Sequence, residues 1–173
     1  MAENTLYPIA KTRLTSTASS ISISNIPNTF DDLVLYCSLR SDRGSFENSS
    51  GRLKFNSSTS NYGWNSVVVA GGTTVVQNDE TISRPLIYIP SGTATTSVFS
   101  NDMLYIHNYK ASMTKTFYLT NGFSVNNAVN MYAGQLGGFW DDTAAITTIT
   151  LDEANSANFV ANSTMYLYGI KRT

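Results

Sequence analysis

Four pairs of neighbouring acids, one histidine, one cysteine and two tryptophans are the residues of this chain whose types could carry chemistry. A glycosidase sets two carboxylates about 5–9.5 Å apart across a sugar. Adjacent residues on a strand point to opposite faces. Asp31-Asp32, Asp79-Glu80, Asp141-Asp142 and Asp152-Glu153 are therefore not such dyads by themselves, and each neighbours turn-forming residues. Turn and surface roles are expected of them. His107 would have to serve any Ser–His–Asp relay, yet no G-x-S-x-G elbow marks a serine for it. It is expected to be a structural imidazole on a strand. One His and one Cys cannot form a Cys/His metal cluster. The EF-hand spacing is absent too, which leaves calcium in a loop cage as the weaker alternative. Gly134-Gln135-Leu136-Gly137-Gly138 has no lysine and no following helix, so it is not a phosphate loop. No catalytic residue, metal or cofactor is expected.

Trp64, in Asn61-Tyr62-Gly63-Trp64-Asn65, and Trp140, followed by Asp141 and Asp142, are the candidate glycan-binding residues. Sugars stack on exposed aromatic faces while Asp and Asn bond their hydroxyls. The competing reading makes each indole a core or interface anchor, and it is preferred.

The elements that must position these groups read as β structure. Apolar residues alternate with polar ones at period two. Ile21 and Ile23 share a face within Ser20–Ser24. Leu33, Leu35, Cys37 and Leu39 alternate with Val34, Tyr36, Ser38 and Arg40. Further strands are predicted over 53–55, 67–70, 86–89, 97–109, 115–120, 129–135, 146–151 and 164–171. That makes roughly ten strands, the pattern of a sandwich or jelly roll. Residues 41–60 are expected to form a long loop around the 53–55 strand, and 71–83 another. Helix signals are weak, with one turn at most near Asp152–Ala157. Residues 1–173 are read as a single antiparallel β-sandwich domain, all-β and jelly-roll-like.

Several strands are apolar on both faces. Tyr36 lies opposite Leu35 in register, Tyr105 and His107 opposite Leu104 and Ile106, and Tyr166 and Tyr168 opposite Met165 and Leu167. A two-sheet sandwich buries one face of each sheet and wets the other. Such a face calls for a neighbouring subunit or, as the alternative, a covering loop of the same chain; Tyr36, Tyr105, His107, Tyr166 and Tyr168 are the candidate subunit-interface residues. Self-association is expected, with a trimer favoured.

The chain has 173 residues, enough for one ordinary core. Charged residues are 13%, about half the usual share, and Ser, Thr and Asn supply the remaining polarity. The formal net charge is −1, which argues against a nucleic-acid partner. Arg40, Arg43, Arg52 and Lys54 cluster in sequence and read as a solvated loop. Cys37 is the only cysteine and shares the inward register, so a buried thiol is expected. The first residues lack a signal-peptide pattern and no segment reads as a membrane span. Synthesis in a reducing cytoplasm, with no membrane partner, is the expectation.

Three stretches carry a resemblance. The first is Leu14 to Leu39, with Ile26-Pro27-Asn28-Thr29-Phe30 leading into Asp32-Leu33-Val34-Leu35. The second is Leu53-Lys54-Phe55-Asn56 followed by Asn61-Tyr62. The third runs from Trp140 through Ala145–Leu151 and Asn158–Thr164 to Leu167-Tyr168-Gly169-Ile170. Together they resemble small β-sandwich structural proteins of tailed-bacteriophage virions, both head-decoration and tail or fibre proteins. The resemblance implies a non-enzymatic, oligomeric virion component, made in the host cytoplasm, whose partners are itself and other virion proteins. It carries no catalytic residue. The alternative is a receptor module that binds a host-surface glycan.

Overall fold

The alternating pattern folds into two antiparallel sheets. A computed structural model describes residues 5–70, 72–79, 84–125 and 131–172. Among them lie twelve strands and no helix: β1 Leu6–Arg13, β2 Ser20–Ile23, β3 Asp32–Ser38, β4 Asn48–Phe55, β5 Tyr62–Ala70, β6 Thr73–Asp79, β7 Leu86–Pro90, β8 Asn101–His107, β9 Lys115–Ser124, β10 Met131–Trp140, β11 Ile149–Glu153 and β12 Thr164–Ile170. The large sheet has eight strands, ordered β1-β12-β3-β8-β9-β10-β5-β6, and the small one four, ordered β2-β11-β4-β7. Eight and four strands exceed the eight-stranded jelly-roll plan. Antiparallel β-sandwich is the description this connectivity carries.

The core lies between the sheets. Leu33, Leu35, Cys37, Leu104, Ile106, Phe117, Leu119, Met165 and Leu167 project from the large sheet onto Ile21, Ile23, Leu53, Phe55, Ile87, Ile89, Ile149 and Leu151 of the small one. These are the period-two positions of each strand, so side-chain alternation alone selects them. Tyr109 closes one end of the core. It is fully buried, and its hydroxyl donates to the Pro27 carbonyl and accepts the Phe30 N–H at 3.4 Å. The turn that leads into β3 is thereby tied to the end of β8. Gly169 on β12 completes this corner. A Cβ there would stand 2.2 Å from the Phe30 ring, so the ring lies where only glycine leaves room.

All ten predicted strands overlap observed ones. Residues 129 and 130 of the predicted 129–135 strand lie outside the described residues. Two strands were not anticipated. β1 carries Pro8 and Lys11, which weaken a strand signal, and it bends through a register shift between Pro8 and Ala10. β6 falls in the segment expected to be a loop, as do residues 71 and 80–83, which lie outside the described ones. The loop expected over 41–60 is shorter than predicted, because Asn48–Ser50 belong to β4 and pair with Tyr88–Pro90. Residues 97–100, predicted as strand, instead lie ahead of β8, at the end of a 91–98 turn organised by Arg40. Its guanidinium donates to the carbonyls of Ser91, Ala94, Thr95 and Val98 at 2.9–3.1 Å. The solvated role expected of Arg40 is thus corrected: its side chain is buried against that turn.

Candidate functional site

The outer face of the large sheet is built by the second half of each alternation. Ladder register places Tyr166 opposite Tyr36, Tyr36 opposite Met103, and Tyr168 opposite Val34. It continues Val34 to Tyr105, Tyr105 to Tyr118, and His107 to Thr116. The five residues proposed from the sequence as interface therefore share one face of three adjacent strands, β12, β3 and β8. Tyr118, on β9, joins them and was not singled out. Tyr36, Tyr118 and Tyr166 are exposed, while Tyr105, Tyr168 and His107 are half-buried. The Tyr36 and Tyr168 rings meet edge to face, with centroids 5.9 Å apart. Lys11 Nζ stands 4.9 Å from the centre of the Tyr166 ring. The middle of this surface carries rings and hydroxyls, and the charges sit at its rim.

At one end of the patch Asp32 gathers a network. It is 1% exposed. Its Oδ2 accepts the Tyr105 hydroxyl at 2.6 Å and the Arg172 Nε–H at 3.0 Å. Its Oδ1 accepts the Asn108 N–H at 2.9 Å and an Arg172 Nη2–H. His107 Nδ1 lies 3.2 Å from the same Oδ1 and 3.1 Å from Arg172 Nη2. Burial would raise this carboxyl, but the Arg172, Tyr105 and Asn108 hydrogen bonds outweigh it and hold it at about 2. Burial and the same Asp32 bond push the Tyr105 phenol up to about 12. Every ionisable group here is bonded to a partner in the chain, so the network fixes the end of the patch. The surface role expected of Asp32 is corrected, although Asp31 keeps one, paired with Lys110 at 3.2 Å.

The glycan candidates are separated by the strand's own alternation. In Gly138-Phe139-Trp140, Trp140 points inward and is 1% exposed, packed against Phe55 and Tyr62. An indole so enclosed cannot stack on a sugar. Trp140 thus takes the core-anchor place that was the preferred reading of its sequence, and its glycan candidacy falls away. Phe139 takes the outward position and is 43% exposed. Its ring lies across Gly63, where a Cβ would come within 2.5 Å. Trp64 points inward and is 7% exposed, but it lines a depression of about 540 Å³ with Gly63, Asn65, Thr116, Gly137, Gly138 and Phe139. Asp141 accepts the Thr114 hydroxyl at 2.6 Å, and Asp142 Oδ1 accepts the Ala144 N–H at 2.7 Å. Both carboxylates are engaged in the turn after β10.

Beneath the outer face, Lys115, Cys37 and Asp102 are among the buried groups. Lys115 is fully buried and donates to the Asp142 carbonyl at 2.9 Å. Cys37 is buried, and burial together with the nearby Asp102 pushes its thiol well above the ordinary range. Asp102 is 1% exposed; it accepts the Ser100 hydroxyl on Oδ2 at 2.6 Å, and its Oδ1 has no partner among the described residues. Burial raises its carboxyl to about 8. None of the three lines either depression described on the large sheet. Among the described residues no group of three or more His, Cys, Asp or Glu could hold a metal, and no helix could cross a membrane.

No protein-family model matches the chain, and no curated protein or solved structure does.

Proposed function

We propose that this chain is a non-enzymatic structural protein of a tailed-bacteriophage virion, held in the particle as an oligomer through the outer face of its large sheet. The observation that carries the reading is the tyrosine patch formed by Tyr36, Tyr105, Tyr118, Tyr166 and Tyr168. Outer faces of antiparallel sheets are ordinarily polar. Tyrosine, by contrast, is enriched where surfaces are buried between subunits. Because tyrosine hydroxyls both donate and accept, the patch is complementary to another copy of itself and asks for no charged partner. Copies of the chain are thus the first occupants, with other virion proteins around them. The virion setting rests on the sequence resemblance; the patch supplies the reason for assembly.

Protein analysis of gradient-purified particles tests this directly. The chain is expected in intact virions in many copies. Its absence from them, with abundance in the infected-cell lysate, refutes the proposal.

A second reading has one observation in its favour, the depression beside Phe139. There an exposed ring adjoins Asn65 and Thr116, the pairing of apolar and polar groups that sugars use. A glycan array separates the two readings: a structural protein gives background signal only.

A further inference from the structure

A sandwich of open sheets has four edges, and each exposes unpaired backbone N–H and C=O groups to any passing strand. Three of the four edges here are blunted. β1 contains Pro8, shifts register between Pro8 and Ala10, and carries Lys11 and Arg13. β2 is four residues long, and its Ser22 carbonyl already accepts the Thr12 hydroxyl at 2.9 Å. β7 is five residues long, follows Pro85 and ends on Pro90. Proline removes a ladder donor, and short or charged edges resist pairing.

β6 has none of these devices. Its seven residues, Thr-Thr-Val-Val-Gln-Asn-Asp, hold no proline and no basic residue. They pair with β5 in unbroken register from Thr73 opposite Ala70 to Asp79 opposite Trp64. β6 ends the strand order, so its second side has no strand partner among the described residues. Val76 at its centre is 73% exposed, the most exposed large apolar side chain described.

We propose that β6 is a strand-addition edge and that its occupant is β6 of a second copy, antiparallel across a two-fold axis at Val76. The sequence is self-complementary in that register. Thr73 meets Asp79, Thr74 meets Asn78, Val75 meets Gln77, and Val76 meets Val76. The only charge, Asp79, never faces itself. Val67 lies directly opposite Val76 on the same outer face and is itself exposed. Joining two copies therefore sets Val67, Val76, the partner's Val76 and the partner's Val67 in one row across the seam. Directly opposed β-branched pairs are a favourable arrangement on a sheet. The result is one continuous sheet with two copies of the eight-stranded order. This deepens the assembly role proposed above and rests on it, but it uses a different surface from the tyrosine patch.

The test is sedimentation velocity and hydrogen exchange of the full chain over a range of concentrations, for wild type, Val76→Lys, Val67→Lys and Tyr36→Lys. Val76→Lys puts like charges opposite each other at the seam on a side chain that packs little within its own copy. Its thermal midpoint at low concentration is expected to match wild type. In wild type, amides of residues 73–79 should gain protection as concentration rises, in step with a mass increase of one chain per chain. Val76→Lys should abolish the protection and the doubling of mass that goes with it while association through the tyrosine patch remains, Val67→Lys should weaken both by a smaller factor, and Tyr36→Lys should leave the protection of 73–79 intact. Concentration-independent exchange of 73–79 in wild type overturns the proposal. So does concentration-dependent protection of 73–79 that survives Val76→Lys unchanged. If Tyr36→Lys alone removes all association, the patch stands and the edge does not.

Discussion

Asp102 makes the fold's stability fall as pH rises. The carboxyl is held at about 8 in the fold against an ordinary value of 3.8. Between those two values the folded chain retains a proton that the unfolded chain has released. Unfolding then loses a proton, and stability declines with rising pH across that window. Each unit of the shift is worth about 1.4 kcal/mol, so at pH 7 the loss is on the order of 4 kcal/mol. Above about 8 it levels off. Asp32 has the opposite sign: held at about 2, it contributes stability that is lost only as pH falls from about 4 towards 2. The two carboxyls together put the maximum at about pH 4, where Asp32 keeps its charge in the fold and Asp102 has only begun to lose its proton in the unfolded chain. Asp102→Asn keeps the shape and removes the titration. Urea unfolding of both proteins at about pH 5 and about pH 7.5 is the assay. The variant is expected to hold nearly constant stability while the wild type drops, so the gap between them widens with pH. An equal slope in both proteins refutes the reasoning, because it would mean that Asp102 does not keep its proton in the fold.

Gly169→Ala should cost about 2 kcal/mol, since the new methyl meets the Phe30 ring at 2.2 Å; thermal unfolding reads it, and trimming Phe30 to Leu should recover part of the loss. Arg40→Ala should cost about 3 kcal/mol or more, because four carbonyls of the 91–98 turn lose their donor; Arg40→Lys should fall between, as one ammonium cannot span all four. Cys37 should react with a thiol reagent only under denaturing conditions, because its thiol is buried and held protonated; fast labelling of the native chain would place β3 in another register.

The strands were most legible where both faces alternate cleanly. Leu33, Leu35 and Cys37 face inward and Tyr36 outward as the period-two pattern requires. The tyrosine patch followed from the same pattern, because Tyr36, Tyr105, Tyr166 and Tyr168 stand at the alternate positions of strands that turn out to be neighbours. That they are neighbours was not legible: β12, β3 and β8 are far apart in sequence, and only the ladders join them. The predicted strand over 129–135 stops short of the glycine-rich end of β10. Gly138 lies in the strand, paired with Phe117 and Trp64, and glycine is needed there because the Phe117 ring would come within 2.7 Å of a Cβ, a close approach that no local signal announces. With the strand's end hidden, the outward place of Phe139 was hidden too. Arg40 and Asp32 were misjudged for a shared reason. Composition treats a charge as solvated, whereas each of these two is surrounded by backbone or side-chain partners that stand in for water.

Arg40 has one further consequence, for variation in the chain. Its guanidinium recognises the main chain of residues 91–98 and none of their side chains. A loop held by its carbonyls is indifferent to most of its own letters. Gly92 is constrained, because a Cβ there would meet the Arg43 carbonyl at 2.5 Å, and Ala94 is buried beside Phe123 and Val125. Thr93 and Thr96 are exposed and can change without disturbing the clamp. The turn is thus a rigid frame with interchangeable exterior positions, through which the protein can diversify a surface while the sandwich beneath it stays the same.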